Sequence, residues 1–212
     1  MEQEQIARLL DQARQGDRHA FGSLLEGQRI RLKRMLSLRI DGRLRGRVDP
    51  ADVIQDVFLE ASQRLIDYLR DPRLPFYLWI RFLAVQRLHA IYREHLGAQK
   101  RDARREVSLD GGPHPTATSE ALAAKLLGKL STPSQTMARA ELSAQLRATL
   151  EAMDAGDREI IALRHFEQLG NAEAAQLLEI DESAASKRYL RAMSRLRELL
   201  ARIPGMADYP WK

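Results

Sequence analysis

The sequence predicts an all-α protein, with two small helical domains joined by a flexible linker. Leu, Ala, Arg, Glu and Gln dominate, and apolar residues recur at spacings of three and four, the period of a helix buried on one face. No alternating β-branched run bounded by Asn-Gly or Asp-Gly turns is present. The pattern breaks clearly once, at "SLDGGPHPTATSE" (108–120), where Gly, Pro, Ser and Thr replace the apolar residues that ordering a chain requires. The expected division is a domain at 1–107, a linker at 108–134 enclosing a short apolar helix at 122–130, a second domain at 135–203 and a tail at 204–212.

The opening "MEQEQIARLLDQARQGD" is acidic and amphipathic, unlike the basic-then-apolar pattern of a secretion signal. "RIRLKRMLSLRIDGRLRGR" (29–47) follows, with arginines that either touch a polyanion or lay their stems over the core. "VDPADVIQDVFLEASQRLIDYLRD" then has a well-marked helix start. Asp49 can cap, Pro50 suits the first helical position, and Asp52 meets the positive end of the dipole. Val53, Val57, Phe58, Ala61, Leu65 and Tyr68 form its core stripe, while Asp52, Gln55, Asp56, Leu59 and Gln63 form another face. That face reads as plain wet surface with one leucine or as a protein-docking surface, and spacing alone favours the plain surface.

Asp71 to Pro75 form a proline-bounded loop before a helix carrying Phe76, Tyr77, Trp79, Phe82 and Tyr92, which ends in dense Arg and Lys. Rings interleaved with cations suit single-stranded nucleic acid, because bases stack on rings while cations take phosphates. Helical spacing puts Trp79, Phe82, Leu83 and Leu88 in the core and leaves Tyr77 and Tyr92 as the stacking candidates.

The last domain reads as three helices. A helix from about 157 to 166 ends at "EQLG" with Gly170 as its C-cap. Asn171 caps a short helix through Leu178, and Asp181 caps a longer one that stops before Pro204. A short helix, a three-residue turn and a second helix make a helix-turn-helix. Glu179 stands where many such turns carry glycine, a strained choice if the backbone there is left-handed. On a helical wheel Tyr189, Leu190, Met193, Leu196 and Leu200 share the side facing the domain. Ala184, Lys187, Arg188, Arg191 and Arg195 gather opposite, a segregation that points to a polyanion.

Charge follows the same division. Residues 1–107 hold 21 Lys and Arg against 15 Asp and Glu, a net of +6. Residues 135–181 hold 4 against 9, a net of −5, whereas 182–202 hold 6 against 2, a net of +4. One basic helix in an acidic domain is either the footprint of a polyanion partner or a solvated face, and charge alone favours neither. The absence of cysteine excludes disulfides and thiolate metal sites, and nothing approaches the roughly 18 apolar residues of a membrane span. The expectation is a soluble cytoplasmic protein with no membrane insertion. The five histidines show no metal-ligand spacing, and there is neither a nucleophile elbow nor a phosphate-binding glycine loop. No cofactor and no enzymatic activity are expected.

Taken together, these stretches resemble the sigma-70 family of bacterial RNA polymerase sigma factors, in the extracytoplasmic-function (ECF) subgroup. "DPADVIQDVFLEA" is similar to region 2.2, which docks on the clamp coiled coil of core RNA polymerase. "FYLWIRFLAVQRL" is similar to regions 2.3 and 2.4, which melt and read the promoter −10 element. "LEAMDAGDREIIALRHFEQLGNAEAAQLLEIDESAASKRYLRAMSRLRELL" is similar to region 4, whose recognition helix reads the −35 element. The resemblance implies a transcription initiation factor directing core RNA polymerase to promoter DNA through −10 and −35 contacts. It makes Asp52, Gln55, Asp56 and Leu59 the polymerase-binding face, joined by flap-type contacts. Ala184, Lys187, Arg188, Arg191 and Arg195 become the −35 set, and Arg73, Tyr77, Arg81, Gln86, Arg87, Tyr92 and Arg93 the −10 set. It also leaves room for an anti-sigma factor. Gln86 replaces the asparagine usual in the group and Ala90 its frequent aspartate, so the −10 preference does not carry over. The alternative is a stand-alone helix-turn-helix transcriptional regulator.

Overall fold

The computed structural model describes residues 3–44, 46–97, 116–128, 136–204 and 206. Among them the chain is helical, with no strand. The chain divides into two compact units, one formed by Met1–Ser37 with Leu44–Pro115, the other by Leu38–Arg43 with Thr116–Lys212.

In the first unit, α1 (Gln3–Arg14) is followed by α2 (Arg18–Arg39), whose first turn is held by Asp17 accepting from the His19 and Ala20 amides at 2.8 and 3.1 Å. Helix α3 (Pro50–Arg70) starts as predicted, with the Asp49 carboxylate accepting from the Ala51 amide at 2.8 Å and Pro50 leading. Helix α4 (Phe76–Gly97) packs along α3. Tyr68 of α3 stacks on Trp79 of α4 with centroids 4.3 Å apart, and Phe76 meets Tyr68 and Phe21 edge-on. The Tyr68 hydroxyl donates to the Leu74 carbonyl at 3.1 Å. Burial pushes its phenol up to about 12, with the charge of Arg14 pulling the other way.

In the second unit, α5 (Ser119–Gly128) buries Ala121, Leu122, Ala123, Leu126 and Leu127 and packs on α6 (Thr136–Glu151). The apolar stretch expected inside the linker is thus part of the second unit's core, because five of its ten residues need covering. The remainder of the expected linker, 108–115 and 129–134, lies outside the described residues, as does most of the tail. Helix α7 (Ala155–Ile161), capped by Asp154, runs into a π-helical turn at Ala162–Phe166. Helices α8 (Asn171–Leu177) and α9 (Glu182–Leu200) complete the unit, both packed together and α9 also against α7.

The segment 38–43 was expected in the first domain but belongs to the second unit, and Arg39 is the physical reason. Its guanidinium is buried and pairs with both Glu159 and Glu167, also buried. The second Glu159 oxygen accepts from the Ala117 amide at 2.8 Å. Burial alone would weaken the charge on Arg39, but the two carboxylates outweigh it and hold the guanidinium above its ordinary value. The π-helical turn leads directly to Glu167, whose amide donates to the Ala162 carbonyl at 2.8 Å.

Candidate nucleic-acid interface

Helices α8 and α9 pack together, and both bury small side chains: Ala174 and Ala175 of α8, and Ala185 and Ala192 of α9. The pair is tied by local hydrogen bonds. The Asn171 amide group donates to the Glu182 carbonyl at 2.8 Å, and Asp181 caps α9 by accepting from the Ala184 amide at 2.7 Å. Gly170 is not the C-cap expected of the preceding helix. It, and not Asn171 as expected, is the N-cap of α8, its amide donating to Glu173 at 2.9 Å, and the left-handed residue ending the earlier helix is Gln168, at φ 61°. Between α8 and α9, Glu179 takes φ 54°, the strained left-handed conformation that its position suggested.

The outward side of α9 carries Lys187, Arg191 and Arg195, all exposed, with Ala184 half-buried beside them. Two details of the predicted wheel are corrected. Arg188 turns toward the domain, its Nε 3.6 Å from the Asp157 carboxylate near the start of α7. Leu190 does not face the domain; it is 65% exposed. The cause is a rotation of α9 set by its alanines. The buried face is centred on Ala185, Ala192, Leu196 and Leu200, which moves Leu190 out and Arg188 to the edge. Tyr189 stays on the domain side, with the Arg164 guanidinium 5.3 Å over its ring.

In the first unit Asp52, Gln55 and Leu59 are exposed along α3, and Asp56 is half-buried. Leu59 is 59% exposed, and Ile66, two turns further along the same face, is 65% exposed. The Asp56 carboxylate accepts from the Arg87 Nε at 2.9 Å, so one residue of the expected docking face is tied to one of the expected −10 set.

The −10 set divides. Arg73, Gln86 and Arg93 are exposed, and Arg87 and Tyr92 half-buried. Tyr77 and Arg81 are buried, which removes Tyr77 as a stacking surface; its ring lies 3.6 Å below the Arg31 guanidinium. Phe82, expected in the core, is 39% exposed instead. Helix α4 is covered on most sides by its own unit, so its free stripe is narrow and runs through Trp79, Phe82, Gln86 and Arg93. Helical spacing had put Phe82 in the core and left Tyr77, at the loop edge, as the stacking candidate; the spacing of Phe82 from the polar Gln86 and Arg93 was the signal for the opposite arrangement.

A buried-alanine helix pair with an outward cationic face defines a protein of the helix-turn-helix DNA-binding class. The family model for sigma-70 region 4 matches residues 143–196. The RNA polymerase sigma factor CnrH of Cupriavidus metallidurans is 30% identical over 203 residues, spanning 91% of this chain and 92% of CnrH. The solved structure of CnrH in complex with the cytosolic domain of CnrY matches with a TM-score of 0.53 at 25% identity, covering 94% of this chain and 99% of that one. The chain belongs to the sigma-70 family of RNA polymerase sigma factors, in the extracytoplasmic-function group. It is a transcription initiation factor that acts with core RNA polymerase at promoter DNA. No helix among the described residues is long and apolar enough to cross a membrane.

Proposed function

We propose that this sigma factor grips promoter DNA with α9 at the −35 element and with the free stripe of α4 at the −10 element, while α3 docks on the polymerase clamp. The observation that carries this reading is the exposed cationic side of α9, held by a short capped helix and a three-residue turn. Lys187 and Arg191 supply the inner contacts, suited to guanine edges or phosphates, with Arg195 nearer the backbone. Arg188 acts through its pair with Asp157, orienting α9 on α7. On α4, Gln86, Arg93 and the partly exposed Phe82 replace Tyr77 and Arg81 as the surface toward a melted strand, flanked by Arg73, Arg87 and Tyr92. On α3, Asp52, Gln55, Asp56 and Leu59 form a polar face around an apolar anchor, the composition of a docking surface.

The activity is binding and positioning, without catalysis, in the cytoplasm. The CnrH structure, with a cytosolic partner domain bound, supports regulation of this chain by an anti-sigma factor. Run-off transcription with purified core polymerase tests the whole reading. The expected result is promoter-specific transcript from the wild type and none from Leu59→Asp, which retains its fold because Leu59 is exposed. Transcription by Leu59→Asp at the wild-type level would instead remove this face of α3 as the docking surface.

A further inference from the structure

We propose that Leu190 is a specificity-determining residue of α9, recognising the 5-methyl group of a thymine in the major groove. The proposal rests on the reading of α9 as the −35 helix and deepens it. Leu190 is 65% exposed. The apolar face of α9 is complete without it, since Ala185, Ala192, Met193, Leu196 and Leu200 are all buried. An exposed leucine adds nothing to the core and leaves its isobutyl group in water.

Its neighbours say where that group points. Lys187 is three residues before it, and Ser186 and Ser194 are four residues to either side, the spacings that share a helix face. Lys187, Ser186, Ser194 and the adjoining Arg191 are all exposed. Leu190 is thus an apolar projection on the cationic side, flanked by small hydroxyl residues that keep the helix slim. The major groove is about 12 Å wide and a helix about 10–12 Å across, so small flanking residues ease the entry of α9. Within the groove thymine alone displays an apolar group, its methyl, while guanine displays the two acceptors suited to Arg191 or Lys187. A leucine beside these cations therefore matches a thymine close to a guanine.

The test uses the full-length protein reconstituted with core polymerase and a promoter-length duplex library randomised over its upstream half. The enriched duplex is then synthesised with each thymine singly replaced by deoxyuridine, which lacks only the methyl. One replacement is expected to weaken wild-type binding about three- to fivefold, the worth of one buried methyl. Leu190→Ala should bind the thymine and uracil versions of that duplex equally, with unchanged thermal stability. If a motif is enriched but no replacement separates wild type from Leu190→Ala, the thymine assignment is overturned while the −35 reading stands. If no motif is enriched and Lys187→Ala and Arg191→Ala bind like wild type, the −35 reading falls and takes the proposal with it.

Discussion

Helices α4 and α9 both mix arginine with large apolar side chains, yet they direct their cations differently. In α4, Arg81 is buried, and Arg87 is tied to Asp56 of α3. In α9, Arg188 alone is turned inward, while Lys187, Arg191 and Arg195 are exposed. The difference follows from coverage. Helix α4 is enclosed by its unit on most sides, whereas α9 is packed through a stripe centred on two alanines. The number of basic residues on a helix is therefore a poor guide to its charge toward a ligand; the width of the packed face decides.

The largest effect should come from an interior cation. Arg39→Ala would leave Glu159 and Glu167 buried without their counter-charge, at a cost of about 3–5 kcal/mol in urea unfolding of the full chain. An unchanged midpoint would show that the triad is not a fixed part of the second unit. The direct contrast between the helices comes next. Arg81→Ala should lower stability by about 2–3 kcal/mol. Arg191→Ala should leave stability within about 0.5 kcal/mol but weaken duplex binding by the holoenzyme, lowering the salt slope by about one. Equal behaviour of the two variants in both assays would erase the contrast.

A smaller effect is expected at the turn before α9. Glu179→Gly should stabilise the protein by up to about 1 kcal/mol, because relief of a left-handed φ of 54° exceeds glycine's added freedom in the unfolded chain. Thermal melting reads this directly. The last effect concerns pH. The Tyr68 phenol titrates at about 12 in the folded state, above the roughly 10 of a free phenol. Its contribution to stability is therefore complete below about pH 10 and lost as pH rises toward 12. Tyr68→Phe should reduce that alkaline loss, as followed by the unfolding midpoint between pH 9 and 12.

Much of the site was legible in local sequence. Asp49 and Pro50 marked the start of α3, Asp181 the start of α9, and Glu179 the strained turn between α8 and α9. Such features involve residues a few positions apart, so composition and spacing are enough to place them. The exposure of Leu59 and Lys187 was likewise visible from helical periodicity. The rotation of α9 was not, because a wheel weights each leucine as core and cannot register that buried alanines set the contact line. The burial of Tyr77 and Arg81 was hidden for a related reason, since the Arg31 guanidinium over the Tyr77 ring comes from a helix far away in sequence.

By itself, then, the sequence determined the helical class, the short helix and the Asp181-capped helix that follows it, and the cationic character of α9, all of which depend on short-range spacing. Only the tertiary structure decided that Arg39 joins Glu159 and Glu167, 120 and 128 residues away, that α5 is core, and that Leu190 rather than Arg188 faces outward. These outcomes depend on which surfaces exclude water together, and that is settled by packing between distant segments.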